Sequence, residues 1–416
     1  MILPASPESR RLCVCYVPAL DVRELAAGAC PYAARLLDAY PSVRFRTQPA
    51  TDQLATILTG TWPHQHGLWG PRLKAEWRAR TPLQQSFDRL PDVVCTTAQG
   101  IAHLVNGPID LATMPPRRRR RFDWLRFNVK HARDVGKVVR PINGLASVFT
   151  VVGADRSRFV YQDNFWDLDR LLAGAGNGDH VLEMVDCHCL DHLQHWMMSR
   201  PDAIRSFYRG VDGFVAALHE KCERAGIRFV LLSDHGMEPN HRVVDLMAAL
   251  RHADLSADAY DVFVESTRAT LWFHTAPART RITDLLGSRA DGILLEFEEM
   301  AAYDLHFADR GYGDAYFYAR PGHTFFPNDF HQPIASAVIA LSDRQQRLRL
   351  RTPWHQADHG YLPDHDCEVG FMLVADDRAR ASDAKVTLVD IAPTLLGLLG
   401  RPGAETMTGR AIFRPG

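Results

Sequence analysis

The sequence has no long hydrophobic run. Nowhere in its 416 residues do about 18 uninterrupted apolar residues occur, which is the length that a membrane-spanning helix needs. The segment from Met1 to Arg11 also lacks the apolar core of a secretory signal. These two absences predict a cytoplasmic protein.

The chain also has almost no net charge. A formal charge of -1 gives no overall attraction to nucleic acid or to an anionic membrane, so no specific nucleic-acid partner is expected. One basic run, Arg117–Arg121, precedes Phe122 and Trp124. Such a run is typical of a solvated surface; the alternative is a lid that contacts an anionic substrate or a membrane surface.

Cysteines with the spacing of a disulfide framework are absent. The eight cysteines are scattered, and several stand in apolar, strand-like runs, which predicts reduced thiols. Apolar residues make up 46% and charged residues 23% of the chain, as in ordinary globular proteins. A chain of this length can form one large α/β domain with insertions.

The chain is organised around the segment Phe229–Met237. Its first four residues are apolar and follow Gly226, which predicts a strand buried on both faces of a parallel sheet. The strand leads to Asp234 and His235, an acid and an imidazole at the end where open α/β sheets bind ligands. The alternative is a plain polar turn in which Asp234 caps a helix.

Another predicted strand, over 12–20, leads to an acid near the amino terminus. Asp21 follows this strand, and residues 22–38 continue with helical periodicity. Asp21 is therefore either an acid presented at the end of a strand or the N-cap of the helix that follows.

A short helix is predicted over 53–58, ending at Gly60. Thr51 stands just before it, where unpaired N–H groups favour a bound anion. Thr51 is therefore either a phosphate-facing nucleophile or an ordinary N-cap. His64 and His66 are interpreted as structural loop histidines.

A second acid–imidazole pair follows the strand predicted over 180–185. Asp191 and His195 are four residues apart, which places them on one face of a helix. A rival zinc site is also present in this segment, but its C-x-C spacing without a second cysteine pair makes a poor structural zinc motif. The residues of that rival site would be Cys187, His188, Cys189 and His192.

Three further elements complete the prediction. Residues 148–152 are predicted to form a core strand and residues 200–225 an amphipathic helix. Residues 370–374 are predicted to form a last apolar strand, which follows the loop that contains His359.

Taken in order, these motifs resemble the alkaline phosphatase superfamily, and within it the type I phosphodiesterase/nucleotide pyrophosphatase branch. The resemblance implies a three-layer α/β sandwich with a mostly parallel central sheet, in one catalytic domain over 1–416. It also implies a smaller α+β cap-like insertion over 243–345 and a variable region over 72–180. The motifs that carry it are Asp21 after a strand, Leu58-Thr59-Gly60, His66-Gly67, Ser233-Asp234-His235-Gly236-Met237 and His359-Gly360.

The resemblance implies two divalent metal ions, zinc by preference and manganese or iron as alternatives. Two such ions stabilise the attacking and leaving oxygens of an in-line phosphoryl transfer. The implied ligands are Asp191, His195 and His359 for one ion and Asp21, Asp234 and His235 for the other, with Thr51 bridging towards the metals.

The implied activity is hydrolysis of a small-molecule phosphate ester by a phosphodiesterase or nucleotide pyrophosphatase, through a phosphorylated Thr51. The family spacing to Thr59 would place the nucleophile one residue earlier, so Asp52 and Thr47 are alternatives to Thr51. Val22 also replaces the glycine that usually follows the first acid.

Two other functions are compatible with the same motifs. One is a phosphomonoesterase, or a hydrolase of phosphonate or sulfate esters, that uses the same site. The other is a relative that binds metal without turnover.

Overall fold

The computed structural model describes residues 10–50, 52–70, 82, 89–91, 94, 139–161, 167–256, 258–331, 337, 340–341, 347–348, 350–381 and 385–414. The predicted nucleophile Thr51 and the basic run Arg117–Arg121 lie outside these residues. The chain divides into two compact units. The first comprises Met1–Leu68, His131–Glu238 and Leu362–Gly416, and the second Trp69–Lys130 and Pro239–Tyr361.

Strands and helices are numbered along the chain. The strands of the first unit are β1 (Leu12–Tyr16), β2 (Ser42–Arg46), β3 (Ser157–Val160), β4 (Leu182–Asp186), β5 (Arg228–Ser233), β14 (Val369–Ala375), β15 (Arg380–Ala381) and β16 (Phe413–Arg414). Its helices are α1 (Val22–Ala26), α2 (Pro31–Ala39), α3 (Leu54–Thr59), α4 (Pro63–His66), α5 (Val148–Val152), α6 (Leu168–Gly174), α7 (Cys189–Met197), α8 (Pro201–Arg224) and α11 (Ile391–Leu398).

A short strand, β6 (Glu238–Pro239), stands where the chain passes from the first unit into the second. The second unit contains β7 (Arg242–Val244), α9 (Leu246–Arg251), β8 (Tyr260–Val264), β9 (Arg268–Phe273), α10 (Ala276–Gly287), β10 (Gly292–Glu296), β11 (Ala315–Ala319), β12 (His323–Phe325) and β13 (Ala357–Asp358).

The first unit is built on a six-stranded sheet in the order β2-β14-β5-β1-β4-β3. Strands β5, β1, β4 and β3 are parallel to their neighbours, and only β14 runs antiparallel to β5 and β2. This confirms the predicted α/β fold with a mostly parallel central sheet. The carboxyl ends of β4, β1 and β5 therefore lie side by side, with β1 in the middle.

Successive side chains of each strand point to opposite faces of the sheet, and helices pack on both faces. On one face, Val14 and Val230 belong to a core that includes Ile57 of α3, Phe149 of α5 and Ile391 of α11. On the other face, α8 packs against β1, and Cys13 of β1 and Cys222 of α8 are both completely buried. The seven cysteines among the described residues are buried and free.

Two local predictions differ from the structure. Residues 148–152 form a helix, because the side chain of Ser147 accepts a hydrogen bond from the backbone N–H of Thr150 and caps it. The helix predicted over 22–38 is divided into α1 and α2, and Pro31 begins the second.

The second unit has its own antiparallel sheet, in the order β10-β11-β9-β8, on which α10 packs. The predicted cap-like insertion, 243–345, falls within the range of this unit, and its boundaries stay a prediction. In the described part of the chain, no helix is both long and apolar enough to cross a membrane. The cytoplasmic location stays a prediction.

Candidate metal-binding active site

Asp234 and His235 stand immediately after β5, and both are 3% exposed. The hydroxyl of Tyr16 donates to Asp234 Oδ2 at 2.6 Å. The other carboxylate oxygen, Oδ1, is buried, has no hydrogen-bond donor among the described residues, and lies 3.5 Å from Nε2 of His235. His235 Nδ1 lies 2.8 Å from the carbonyl oxygen of Gly236, so Nδ1 carries the proton and Nε2 presents a lone pair.

Asp191 and His195 lie on successive turns of α7, which follows β4 directly. Their Oδ1 and Nε2 atoms are 3.5 Å apart. His188, just before α7, places its Nε2 3.1 Å from Asp191 Oδ2. Burial alone would raise the pKa of Asp191, but the imidazoles of His195 and His188 outweigh it and lower that pKa well below its ordinary value.

The two pairs act on one another electrostatically. Burial raises the pKa of Asp234, His235 opposes this, and the Asp191 carboxylate adds to the rise. Burial would lower the pKa of His235, but the carboxylates of Asp234 and Asp191 outweigh it and raise that pKa. Two buried acids therefore influence one another, and each has an imidazole beside it.

This arrangement fits divalent cations. A buried carboxylate oxygen without a donor is costly, and a cation beside Asp234 Oδ1 would remove that cost. Carboxylate oxygen and imidazole nitrogen are donors that zinc accepts, and manganese and iron accept them as well. Asp191 with His195, and Asp234 with His235, each pair a carboxylate with an imidazole within the first unit.

Asp21 does not join these pairs. It is the N-cap of α1, and its Oδ1 accepts a 2.7 Å hydrogen bond from the backbone N–H of Arg23. The Arg23 guanidinium also donates to Asp21 Oδ2, at 2.7 Å from Nη2. Asp21 is thus the N-cap of the helix that follows it, which was one of its two predicted roles. Its role as a metal ligand, implied by the resemblance, stays a prediction.

The alternatives for the nucleophile are engaged elsewhere. Thr47 donates its hydroxyl to Glu368 Oε2 at 2.8 Å. Asp52 Oδ1 accepts a 2.9 Å hydrogen bond from the backbone N–H of Leu54, at the start of α3.

The last predicted ligand, His359, belongs to the second unit, where its side chain is buried. Its carbonyl oxygen accepts a hydrogen bond from the hydroxyl of Thr267 at 3.1 Å. Asp358, beside it in sequence, lies 2.6 Å from Nδ1 of His355 and accepts a 2.8 Å hydrogen bond from Asn240.

The rival zinc site does not assemble around its thiols. Cys187 Sγ and Cys189 Sγ lie 3.7 Å apart, but the intervening His188 faces the carboxylates of Asp186 and Asp191. Among the described residues, the groups that could hold a metal do not include these cysteines.

His66 has a structural place, as its sequence context indicates. It is buried, its Nδ1 accepts from the backbone N–H of Leu68 at 3.1 Å, and its Nε2 lies 3.0 Å from the hydroxyl of Thr56. The Thr56 hydroxyl in turn donates to Gln48 Oε1 at 3.2 Å. This chain of hydrogen bonds ties the end of α4 to α3.

Sequence reasoning missed two residues near the site. Tyr16 is the polar side chain at the end of the apolar strand β1, and this position was the signal that could have identified it. Arg23 carries no such signal, because its partners Asp21 and Glu238 come together only in the fold.

A model of the family "type I phosphodiesterase/nucleotide pyrophosphatase" matches residues 32–362 of the chain. The chain belongs to this family. It is therefore a phosphoric ester hydrolase, and the resemblance to the phosphodiesterase branch of the alkaline phosphatase superfamily is confirmed.

Solved structures of this phosphodiesterase family have the same fold. Human ectonucleotide pyrophosphatase/phosphodiesterase 5 is 12% identical, with a TM-score of 0.62 over 95% of this chain and 96% of that chain. The murine protein, in an inactive threonine-to-alanine variant in complex with AMP, is 14% identical, with a TM-score of 0.61 over the same shares. No curated protein matches the chain by sequence at a significant level.

Proposed function

We propose that this family member is a metal-dependent phosphodiesterase that hydrolyses a small phosphate diester or a nucleotide pyrophosphate. The observation that carries the proposal is the Asp234–His235 pair, in which a buried carboxylate oxygen without a donor lies 3.5 Å from an imidazole nitrogen. The family match supplies the reaction class.

The metal requirement would be met by two ions, zinc by preference. Asp191 and His195 would hold one ion, and Asp234 and His235 the other; the family resemblance adds His359 to the first set. Bound ions at this place would supply Lewis-acid charge that stabilises the attacking and leaving oxygens of phosphoryl transfer.

The chain's own side chains orient these ligands. Tyr16 holds Asp234 Oδ2, His188 lies against Asp191 Oδ2, and the Gly236 carbonyl sets the tautomer of His235. Such outer partners fix the orientation of ligand groups and raise metal affinity.

Thr51 is the proposed nucleophile. Its hydroxyl oxygen would release its proton to solvent and attack phosphorus, which expels the alcohol of a diester or the phosphate of a pyrophosphate, and water would then hydrolyse the phospho-threonine ester. The engagement of Thr47 with Glu368, and of Asp52 with the start of α3, favours Thr51. The murine neighbour, described as inactive when a threonine is replaced by alanine, and in complex with AMP, supports both a nucleophilic threonine and a nucleotide ligand.

The test is hydrolysis of bis-p-nitrophenyl phosphate and of p-nitrophenyl phosphate with zinc or manganese supplied. The unaltered chain is compared with Thr51→Ala, and with Asp52→Asn and Thr47→Val as register controls. We expect diester turnover that Thr51→Ala abolishes and that both controls retain. Loss in Asp52→Asn alone would transfer the nucleophile's role to Asp52.

The alternative functions give different results in the same assay. Faster turnover of the monoester than of the diester would favour a phosphomonoesterase. Bound metal without turnover of either ester, or of a phosphonate or sulfate ester, would favour a non-catalytic relative.

A further inference from the structure

A turn separates Asp21 from the end of β1. The strand ends at Tyr16, and the N–H of Leu20 then donates to the carbonyl oxygen of Val17 at 3.3 Å and to the hydroxyl of Ser233 at 3.1 Å. Within this turn Ala19 has a φ of 59°. The polar side chain at the carboxyl end of β1 is therefore that of Tyr16.

Asp21 is fully occupied by other partners. Arg23 donates from its backbone N–H and Nε to Asp21 Oδ1, at 2.7 and 3.1 Å. It also donates from Nε and Nη2 to Oδ2, at 3.0 and 2.7 Å. The N–H of Met237 adds a 3.3 Å contact to Oδ2. A bidentate guanidinium takes both oxygens of a carboxylate, so a metal ion at Asp21 would have to displace Arg23.

Arg23 is itself held on its far side. Its Nη1 donates to Glu238 Oε2 at 3.0 Å and its Nη2 to the carbonyl oxygen of Met237 at 2.7 Å. A Cβ added to Gly236 would lie 2.3 Å from Asp21 Oδ2, so the carboxylate packs directly on the backbone of that glycine. Asp21 and Arg23 thus anchor the backbone that follows Asp234 and His235.

Tyr16 reaches the site itself. It pairs with Leu232 of β5, two residues before Asp234, and it is 3% exposed. Its hydroxyl donates to Asp234 Oδ2 at 2.6 Å, while Oδ1 is directed towards Nε2 of His235. The phenol therefore decides which oxygen of Asp234 is available to a cation.

We propose that Tyr16 is a positioning residue for the cation site at Asp234 and His235, and that Asp21 is a backbone anchor and not a metal ligand. This inference rests on the proposed function, because it requires that Asp234 and His235 bind a divalent cation.

The test measures binding of zinc and of manganese to the full chain by equilibrium dialysis and elemental analysis. Tyr16→Phe should weaken binding about 10- to 100-fold, the usual effect of removing an outer hydrogen bond to a ligand. Tyr208→Phe is the matched control, since the Tyr208 hydroxyl is buried and has no hydrogen-bond partner in the described part of the chain. It should leave the affinity unchanged.

Asp234→Asn should remove the site, and Asp21→Asn should change the affinity for metal no more than Arg23→Ala does. Because Asp21→Asn could loosen the Gly236 backbone, Arg23→Ala, which breaks the same anchor and removes no carboxylate, is measured beside it. Equal weakening in these two variants, or none in either, supports the anchor role.

Other results would overturn the inference. Weakening in Asp21→Asn with normal binding in Arg23→Ala would make Asp21 a ligand. Unchanged binding in Tyr16→Phe would remove the positioning role. An unaltered, folded chain that binds neither metal would overturn the proposed function together with this inference.

Discussion

Asp191 Oδ1 and His195 Nε2 lie 3.5 Å apart on successive turns of α7, next to the Asp234–His235 pair. We expect His195→Ala to lower diester turnover by about 100-fold or more, since a lost ligand costs more than a lost outer partner. The measurement is the steady-state rate with saturating zinc. His219→Gln is the control: His219 is a buried histidine on α8 that contacts Tyr32, and its replacement should keep the rate. Equal losses in both variants would contradict this role of His195.

The buried His66 predicts a specific loss of stability in acid. Burial, assisted by the charge of His64, lowers the pKa of His66 from 6.5 to about 3, so the unfolded chain binds one more proton than the folded chain between these values. The neutral His66 therefore contributes to the free energy of unfolding. This contribution is complete above the unfolded pKa and is lost as the pH falls through this window, at about 1.4 kcal/mol per pH unit.

Urea unfolding at two pH values, one near neutral and one near 5, checks this. The unaltered chain should lose roughly 2 kcal/mol more unfolding free energy than His66→Gln over this interval. His252→Gln, at an exposed histidine, should lose as much as the unaltered chain. An unchanged pH dependence in His66→Gln would contradict the assignment.

Asp212 of α8 caps a helix to which it does not belong. Its two carboxylate oxygens accept from the N–H groups of Tyr32 and Ala33, both at 2.9 Å, in the first turn of α2. Asp212→Ala should lower the free energy of unfolding by about 2 kcal/mol, because a buried and a partly buried N–H group lose their acceptor. Asp202→Ala, at an exposed position of the same helix, should change it by less than about 0.5 kcal/mol. Chemical denaturation of both variants measures the difference, and similar values would refute the cap.

Gly236 has no room for a side chain. A Cβ there would lie 2.3 Å from Asp21 Oδ2, so Gly236→Ala should destabilise the fold by about 1–3 kcal/mol through displacement of the Asp21–Arg23 anchor. Gly213→Ala, on the exposed face of α8 with open space around its Cβ, should stabilise by about 0.5–1 kcal/mol. The unfolding temperatures of the two variants should therefore shift in opposite directions. Shifts of the same sign would contradict the close contact between Gly236 and Asp21.

The buried strand at Arg228–Ser233, the long helix Pro201–Arg224 and the helix end at Gly60 were all predictable. Each is set by local pattern: a short apolar run, a 3.6-residue periodicity and a glycine in the left-handed region. The strand predicted over residues 148–152 was wrong. An apolar run of that length fits either a strand or a buried helix, and the N-cap at Ser147 stabilises the helix.

The two acid–imidazole pairs follow from local spacing alone. Four residues on a helix bring Asp191 to His195, and adjacency brings Asp234 to His235, so no distant contact is needed. The contribution of the first strand, in contrast, depends on long-range contacts. Tyr16 meets Asp234, and Arg23 joins Asp21 to Glu238, across more than 200 residues of chain. Such contacts depend on the order of β5, β1 and β4 in the sheet and on where the turn after β1 ends, and neither is encoded in local periodicity.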